Sequence, residues 1–110
     1  MEKVFVVKRV AEKLWATEEA IDGALVEASA LLNELVAGRR ELKVSTVTTD
    51  AATAKIAEAM KALAEARSSM TAAHNELNEI KLRLGVRIKM NFKPPLLAQK
   101  DEAAEVRDAV

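Results

Sequence analysis

The sequence predicts an all-α protein: a long antiparallel helical hairpin, coiled-coil-like, that pairs into a homo-oligomeric four-helix bundle and ends in a short C-terminal extended segment. Three observations predict this fold. A seven-residue apolar repeat runs through each half of the chain. A β-branched stretch that forms helix poorly separates the two repeats. The apolar stripe on each repeat is wider than a single hairpin can bury, which favours pairing of hairpins.

The first predicted helix spans about 5–38. Its seven-residue repeat consists of Val7, Leu14, Ile21, Ala28 and Leu35. A companion row of the same period consists of Val10, Thr17, Ala24 and Leu31, and Leu25 and Leu32 widen the stripe. Gly38 is expected to end this helix, because glycine enters the left-handed region of backbone conformation without a Cβ clash.

A connector is predicted over 39–49 and a second helix over 50–84. The β-branched run from Val44 to Thr49 marks the connector, and Asp50 or Thr49 is expected to cap the second helix. The repeat of this helix consists of Ile56, Leu63, Met70, Leu77 and Leu84, and its companion row of Ala52, Ala59, Ala66, Ala73 and Ile80. Gly85 closes it, so the hairpin is expected to occupy 1–85.

Two alignments of the helices fit the repeats equally well. The first sets Val7 opposite Leu84 and turns near 45–46, whereas the second uses the alanine row and turns two residues earlier. Either way, the width of the stripe predicts a homodimer or a larger assembly, with a different protein along the stripe as the alternative. The residues expected at the oligomer interface are Leu14, Trp15, Ile21, Leu25, Leu32, Ile56, Leu63, Met70 and Leu77.

Beyond the hairpin, 86–93 is predicted to be a short basic strand, and 94–110 an acidic, mobile tail. Val86, Ile88, Met90 and Phe92 alternate with polar residues, which is the period of a strand, and two prolines then follow. The chain has 17 basic and 17 acidic residues, so no net charge draws it to nucleic acid or membrane. The five basic residues within 81–93 nevertheless make weak polyanion binding an alternative function, through Arg83, Arg87, Lys89 and Lys93.

Catalysis is not expected, and neither is a cofactor or a metal. The chain has no cysteine and no tyrosine, and its single histidine, His74, is the only group suited to proton transfer at neutral pH. Inward-facing Glu-x-x-His pairs hold metals in helical bundles. Position 71 is threonine, however, so His74 lacks this spacing, and it is expected on a polar flank with Arg67 and Lys81.

The N-terminal apolar run from Val4 to Val7 is shorter than the roughly 7–15 residues of an export signal, so we expect a cytoplasmic protein without membrane contact. In length and hairpin plan the chain resembles small secreted helical hairpins that carry a Trp-x-Gly turn. Here Trp15-Ala16-Thr17 lies inside the first predicted helix and the connector has no such turn. That resemblance implies a second alternative, secretion without a signal. The leading expectation is a non-catalytic scaffold or adaptor that acts through protein–protein contacts.

Overall fold

The structure, a computed structural model, describes residues 2–87 and contains two long helices. Helix α1 spans Glu2–Glu41 and helix α2 spans Thr46–Arg83, so the predicted all-α helical hairpin is confirmed. Of the predicted C-terminal segment, Val86 and Arg87 have no regular secondary structure. The remainder of the basic stretch, 88–93, and the predicted tail, 94–110, lie outside the described residues.

The connector is much shorter than predicted and consists of 42–45 only. Helix α1 continues through Gly38, and the left-handed residue that ends it is Lys43, with a φ of 55°. The amide of Lys43 donates to the carbonyl of Arg40, and that of Val44 to the carbonyl of Arg39. These two bonds form a Schellman motif, which satisfies the last carbonyls of the helix. The fold therefore ends α1 by hydrogen bonding around a lysine rather than at its glycine.

Helix α2 begins four residues before the predicted start, because Ser45 caps it. The amide of Val47 donates to Ser45 Oγ at 3.1 Å. Serine commonly caps a helix in this way, because its hydroxyl accepts from a first-turn amide that has no partner within the helix. Thr46, Val47, Thr48 and Thr49 are therefore helical despite their β-branched side chains, a case of capping overriding weak intrinsic propensity. At the other end, Gly85 takes a φ of 76° and the amide of Val86 donates to the carbonyl of Lys81.

The hairpin divides into two compact units. We call the first the terminal unit, in which the start of α1, as far as Thr17, packs against the chain from His74 onward. The second, Glu18–Ala73, is the connector unit. In each unit the segments of α1 and α2 run antiparallel.

The buried apolar residues of the described chain all belong to the terminal unit: Val7, Ala11, Leu14 and Val86. The connector unit, which is described throughout, has no residue that reaches full burial. Its seam residues, such as Ile21, Leu25 and Leu63, are half-buried. Packing between the two helices thus leaves the connector unit without a closed core.

Candidate functional site: an uncharged side of the hairpin

The rows that face the opposite helix differ from the predicted ones. On α1 the less exposed residues recur every three or four positions: Val4, Val7, Ala11, Leu14, Glu18, Ile21, Leu25, Ala28, Leu32, Leu35 and Arg39. On α2 the same spacing picks out Thr49, Thr53, Ile56, Met60, Leu63, Arg67, Met70, His74, Leu77 and Lys81. This alternation is the signature of a coiled-coil seam. The main apolar repeats of both helices are therefore confirmed as seam positions, except for Leu84, which is exposed.

The companion rows are only partly buried. Ala24, Ala66 and Ala73 are half-buried, as expected, but the large side chains of these rows are exposed: Val10 and Leu31 by 41% and 57%, and Ile80 by 47%. These larger residues therefore lie on the outer flank of the seam. Their places in the seam are taken partly by Arg67, His74 and Lys81, which were expected on a polar flank. Long side chains such as that of Lys81, only 8% exposed, can cover apolar surface with their methylene stems.

Three charged side chains meet within the seam of the connector unit. Arg67 Nε lies 2.9 Å from Asp22 Oδ1, and Arg67 Nη1 lies 3.8 Å from Glu18 Oε2. Sequence analysis did not identify this cluster, because the spacing of residues within each helix does not show which side chains of the other helix lie opposite. Since Arg67 lies between them and the turn occupies 42–45, the helices follow the second of the two predicted alignments. The second alignment would have identified these ion pairs from the sequence, because it sets Arg67 level with Ala20, midway between Glu18 and Asp22.

The displaced companion rows form an uncharged flank on each unit. In the terminal unit, Val10 and Ile80 line one shallow depression of about 170 Å³, together with Val6, Leu77 and Leu84. Because residues from both helices border it, the exposed rows of α1 and α2 lie on the same side of this unit. We call the exposed members of this group, Val6, Val10, Ile80 and Leu84, the terminal patch.

The connector unit has a second depression, of about 280 Å³, next to the turn. Its apolar and neutral walls are Leu35, Leu42, Val44 and Thr49, and one acidic and one basic side chain, Glu34 and Arg39, also line it. Gly38 contributes no side chain there, and a Cβ atom added to it would meet nothing within 4 Å. We call this depression the connector groove. Leu42 beside it is 76% exposed, one of the most exposed large apolar residues of the described chain.

The residues predicted for oligomerisation lie mostly between the two helices of one chain. Leu14 is buried, and Ile21, Leu25, Leu32, Ile56, Leu63, Met70 and Leu77 are half-buried on seam rows. Trp15 is half-buried beside the seam. Their part in an oligomer stays a prediction. Of the predicted polyanion contacts, Arg83 and Arg87 are exposed, while Lys89 and Lys93 lie outside the described residues.

Residues 2–87 contain neither a cluster of metal ligands nor a membrane-spanning stretch. Over residues 2–87 no three His, Asp or Glu side chains are grouped in a way that could hold a metal ion. Neither α1 nor α2 has a stretch apolar enough to cross a bilayer. Comparison with protein-family models, with curated proteins and with solved structures gave no match to this chain.

Proposed function

We propose that this chain is a non-catalytic oligomeric scaffold or adaptor that acts through protein–protein contacts, and that its helical hairpins pair into a four-helix bundle. The observation that carries the proposal is the exposure of large apolar side chains on an uncharged flank of the seam. Val10, Leu31 and Ile80 are each between 41% and 57% exposed. Scattered exposed apolar residues are ordinary, but Val10 and Leu31 lie three heptads apart on one row without charged residues, and Ile80 ends such a row on α2, a pattern typical of a helix–helix contact.

The incomplete core of the connector unit supports the same proposal. Ordering a helical residue costs about 1.5 kcal/mol of conformational entropy, which burial of apolar surface must offset. With seam residues such as Leu25 and Leu63 only half-buried, the two helices of one chain provide little of that burial. A further pair of helices on the uncharged flank would cover residues that the hairpin itself leaves in water.

Polyanion binding has less support on the described residues. Lys81, the first basic residue of the stretch 81–93, is buried and so is not presented to a ligand. Arg83 and Arg87 are exposed and adjacent to the end of α2. Two exposed guanidinium groups would give weak, salt-sensitive contact with any polyanion, so this function stays an alternative prediction.

The proposal is tested by placing charge on the uncharged flank. The double variant Leu31→Lys with Ile80→Lys puts two ammonium groups there, on residues that are already 57% and 47% exposed. The matched control is Val26→Lys with Leu82→Lys, which alters residues that are 66% and 54% exposed but point away from the flank.

Sedimentation velocity reads out the result, with circular dichroism as a check that both variants remain helical. We expect the wild-type chain and the control to sediment as oligomers and the flank variant as a helical monomer. A wild-type monomer would contradict the proposed self-association. An oligomeric flank variant would contradict the placement of the contact.

A further inference from the structure

We propose that the segment after α2, residues 88–93, folds back over the terminal patch of its own chain and covers it with Ile88, Met90 and Phe92. The surface and its occupant both belong to the terminal unit. Because the occupant is part of the same chain, its docking does not depend on the proposed self-association.

The terminal patch accepts an apolar occupant of limited size. Its residues are each between 41% and 47% exposed and border one depression of about 170 Å³. Among the described residues that line this depression only Lys81 is charged, and it is buried. Along α2 the depression extends from Leu77 to Leu84, which is about 10 Å at a rise of roughly 1.5 Å per residue. A row of two or three large apolar side chains would cover it.

The sequence that follows α2 supplies such a row. Three large apolar residues alternate with polar ones there: Ile88, Met90 and Phe92. In an extended chain successive side chains point to opposite faces, so these three share one face and the polar residues share the other. From Ile88 to Phe92 the chain rises about 13 Å, at roughly 3.3 Å per residue. The apolar face of the segment is therefore about as long as the depression.

The place where the described chain ends selects this segment as the occupant. Gly85 turns the backbone after α2, with a φ of 76°, and Val86 is buried in the terminal unit. Ile88 follows only four residues after Leu84, which borders the depression. A separate protein would lose translational and rotational freedom on binding there. A segment tethered this closely has an effective concentration on the order of millimolar, so it occupies the patch first.

The segment and a second copy would compete for the part of the uncharged flank around Ile80. Leu31 lies in the connector unit and is not part of this surface. The proposed contact between hairpins therefore keeps a surface of its own, and the two contacts can be tested separately.

Paired cysteines test the contact, because the natural chain has none. Ile80→Cys places a thiol on the terminal patch, and Met90→Cys places one on the apolar face of the segment. Asn91→Cys is the control for Met90→Cys, because it is the next residue but belongs to the opposite face of an extended chain. Leu82→Cys is the control for Ile80→Cys, because Leu82 is 54% exposed and near in sequence but points away from the patch.

The four pairs are compared as full-length variants, oxidised in dilute solution. Ile80→Cys with Met90→Cys is expected to form a disulfide within one chain at least about tenfold faster than the other three pairs, since only this pair is held together by docking. Equal rates for Met90→Cys and Asn91→Cys would overturn docking by the apolar face. Equal rates for Ile80→Cys and Leu82→Cys would overturn the patch as the place of docking. A disulfide between chains as the main product would overturn docking within one chain.

Alkylation of the single thiol of Ile80→Cys, also in dilute solution, measures whether the patch is covered. Adding Met90→Lys and Phe92→Lys should speed alkylation by at least about threefold, because ammonium groups do not leave water for an apolar surface. Asn91→Lys with Gln99→Lys adds the same charge outside the apolar face and should leave the rate unchanged. Equal rates for the two sets would overturn the proposed docking. A chain that is monomeric at every concentration would contradict self-association and leave the docking of this segment standing.

Discussion

Lys43 and Gly85 hold equivalent places at the ends of the two helices. Each is the left-handed residue after its helix, with φ of 55° and 76°, and each donates its amide to a carbonyl three residues earlier. Glycine adopts this conformation freely, whereas a residue with a Cβ atom is strained there by about 1–2 kcal/mol. The same motif is therefore unstrained at one end of the fold and strained at the other.

Lys43→Gly should stabilise the hairpin. Removing the Cβ relieves the strain, but the extra freedom of glycine in the unfolded chain offsets part of this gain. The free energy of unfolding should therefore rise by about 0.5–1 kcal/mol. Lys43→Ala keeps the strain and should change the free energy of unfolding little. Urea titration at one fixed protein concentration measures both variants. An equal effect of glycine and alanine would show that the backbone conformation of Lys43 is not the cause.

Ser45→Ala should destabilise the hairpin by about 1 kcal/mol, because it leaves the Val47 amide in the first turn of α2 without its serine acceptor. Ser69→Ala is the matched control, since Ser69 is exposed inside α2, where alanine is the better helix former. The two substitutions should shift the thermal midpoint in opposite directions. An equal drop in the thermal midpoint of both variants would show that Ser45 does not cap α2.

Asp22→Asn should lower the free energy of unfolding by about 0.5 kcal/mol at low salt, because it weakens the 2.9 Å ion pair with Arg67. The loss should shrink in molar salt, since both side chains are partly exposed and therefore screened. Glu19→Gln supplies a neighbouring charge change outside that pair. If the difference between the two variants does not depend on salt, the ion pair does not stabilise the seam.

Leu14→Ala should cost about 2–4 kcal/mol, because the side chain is buried and its removal leaves a cavity. Phe5→Ala removes a larger side chain, but one that is 63% exposed, and should cost far less. Chemical denaturation followed by circular dichroism compares them. A larger loss from Phe5→Ala would place the core of the terminal unit elsewhere than on Leu14.

The main repeats predicted the helices and their seam because an apolar residue every seventh position can be buried only against another helix. Leu14, Ile21, Leu63 and Leu77 lie on the predicted rows for that reason. The position of the companion rows relative to the seam could not be predicted by counting apolar residues. Ala66 and Ala73 of the companion row looked more suitable for burial than Arg67 or Lys81, whose long stems make them compatible with the edge of a seam.

The ends of the helices were predicted less well than their faces, because caps depend on local hydrogen bonds. Gly38 looked like a helix end, but α1 continues to Glu41, and the left-handed residue that ends it is Lys43. Serine at position 45 is a good cap, and its signal was hidden by the β-branched residues that follow. The connector groove was missed for the same reason, since it exists only because α1 continues past Gly38.

The mass of the full-length chain in solution tests the central claim most directly. Light scattering across a concentration series should give twice the 12.0 kDa of one chain, with the monomer appearing only on dilution. A mass of one chain at every concentration would contradict the account, because the uncharged flank would then remain in water with no second copy to cover it.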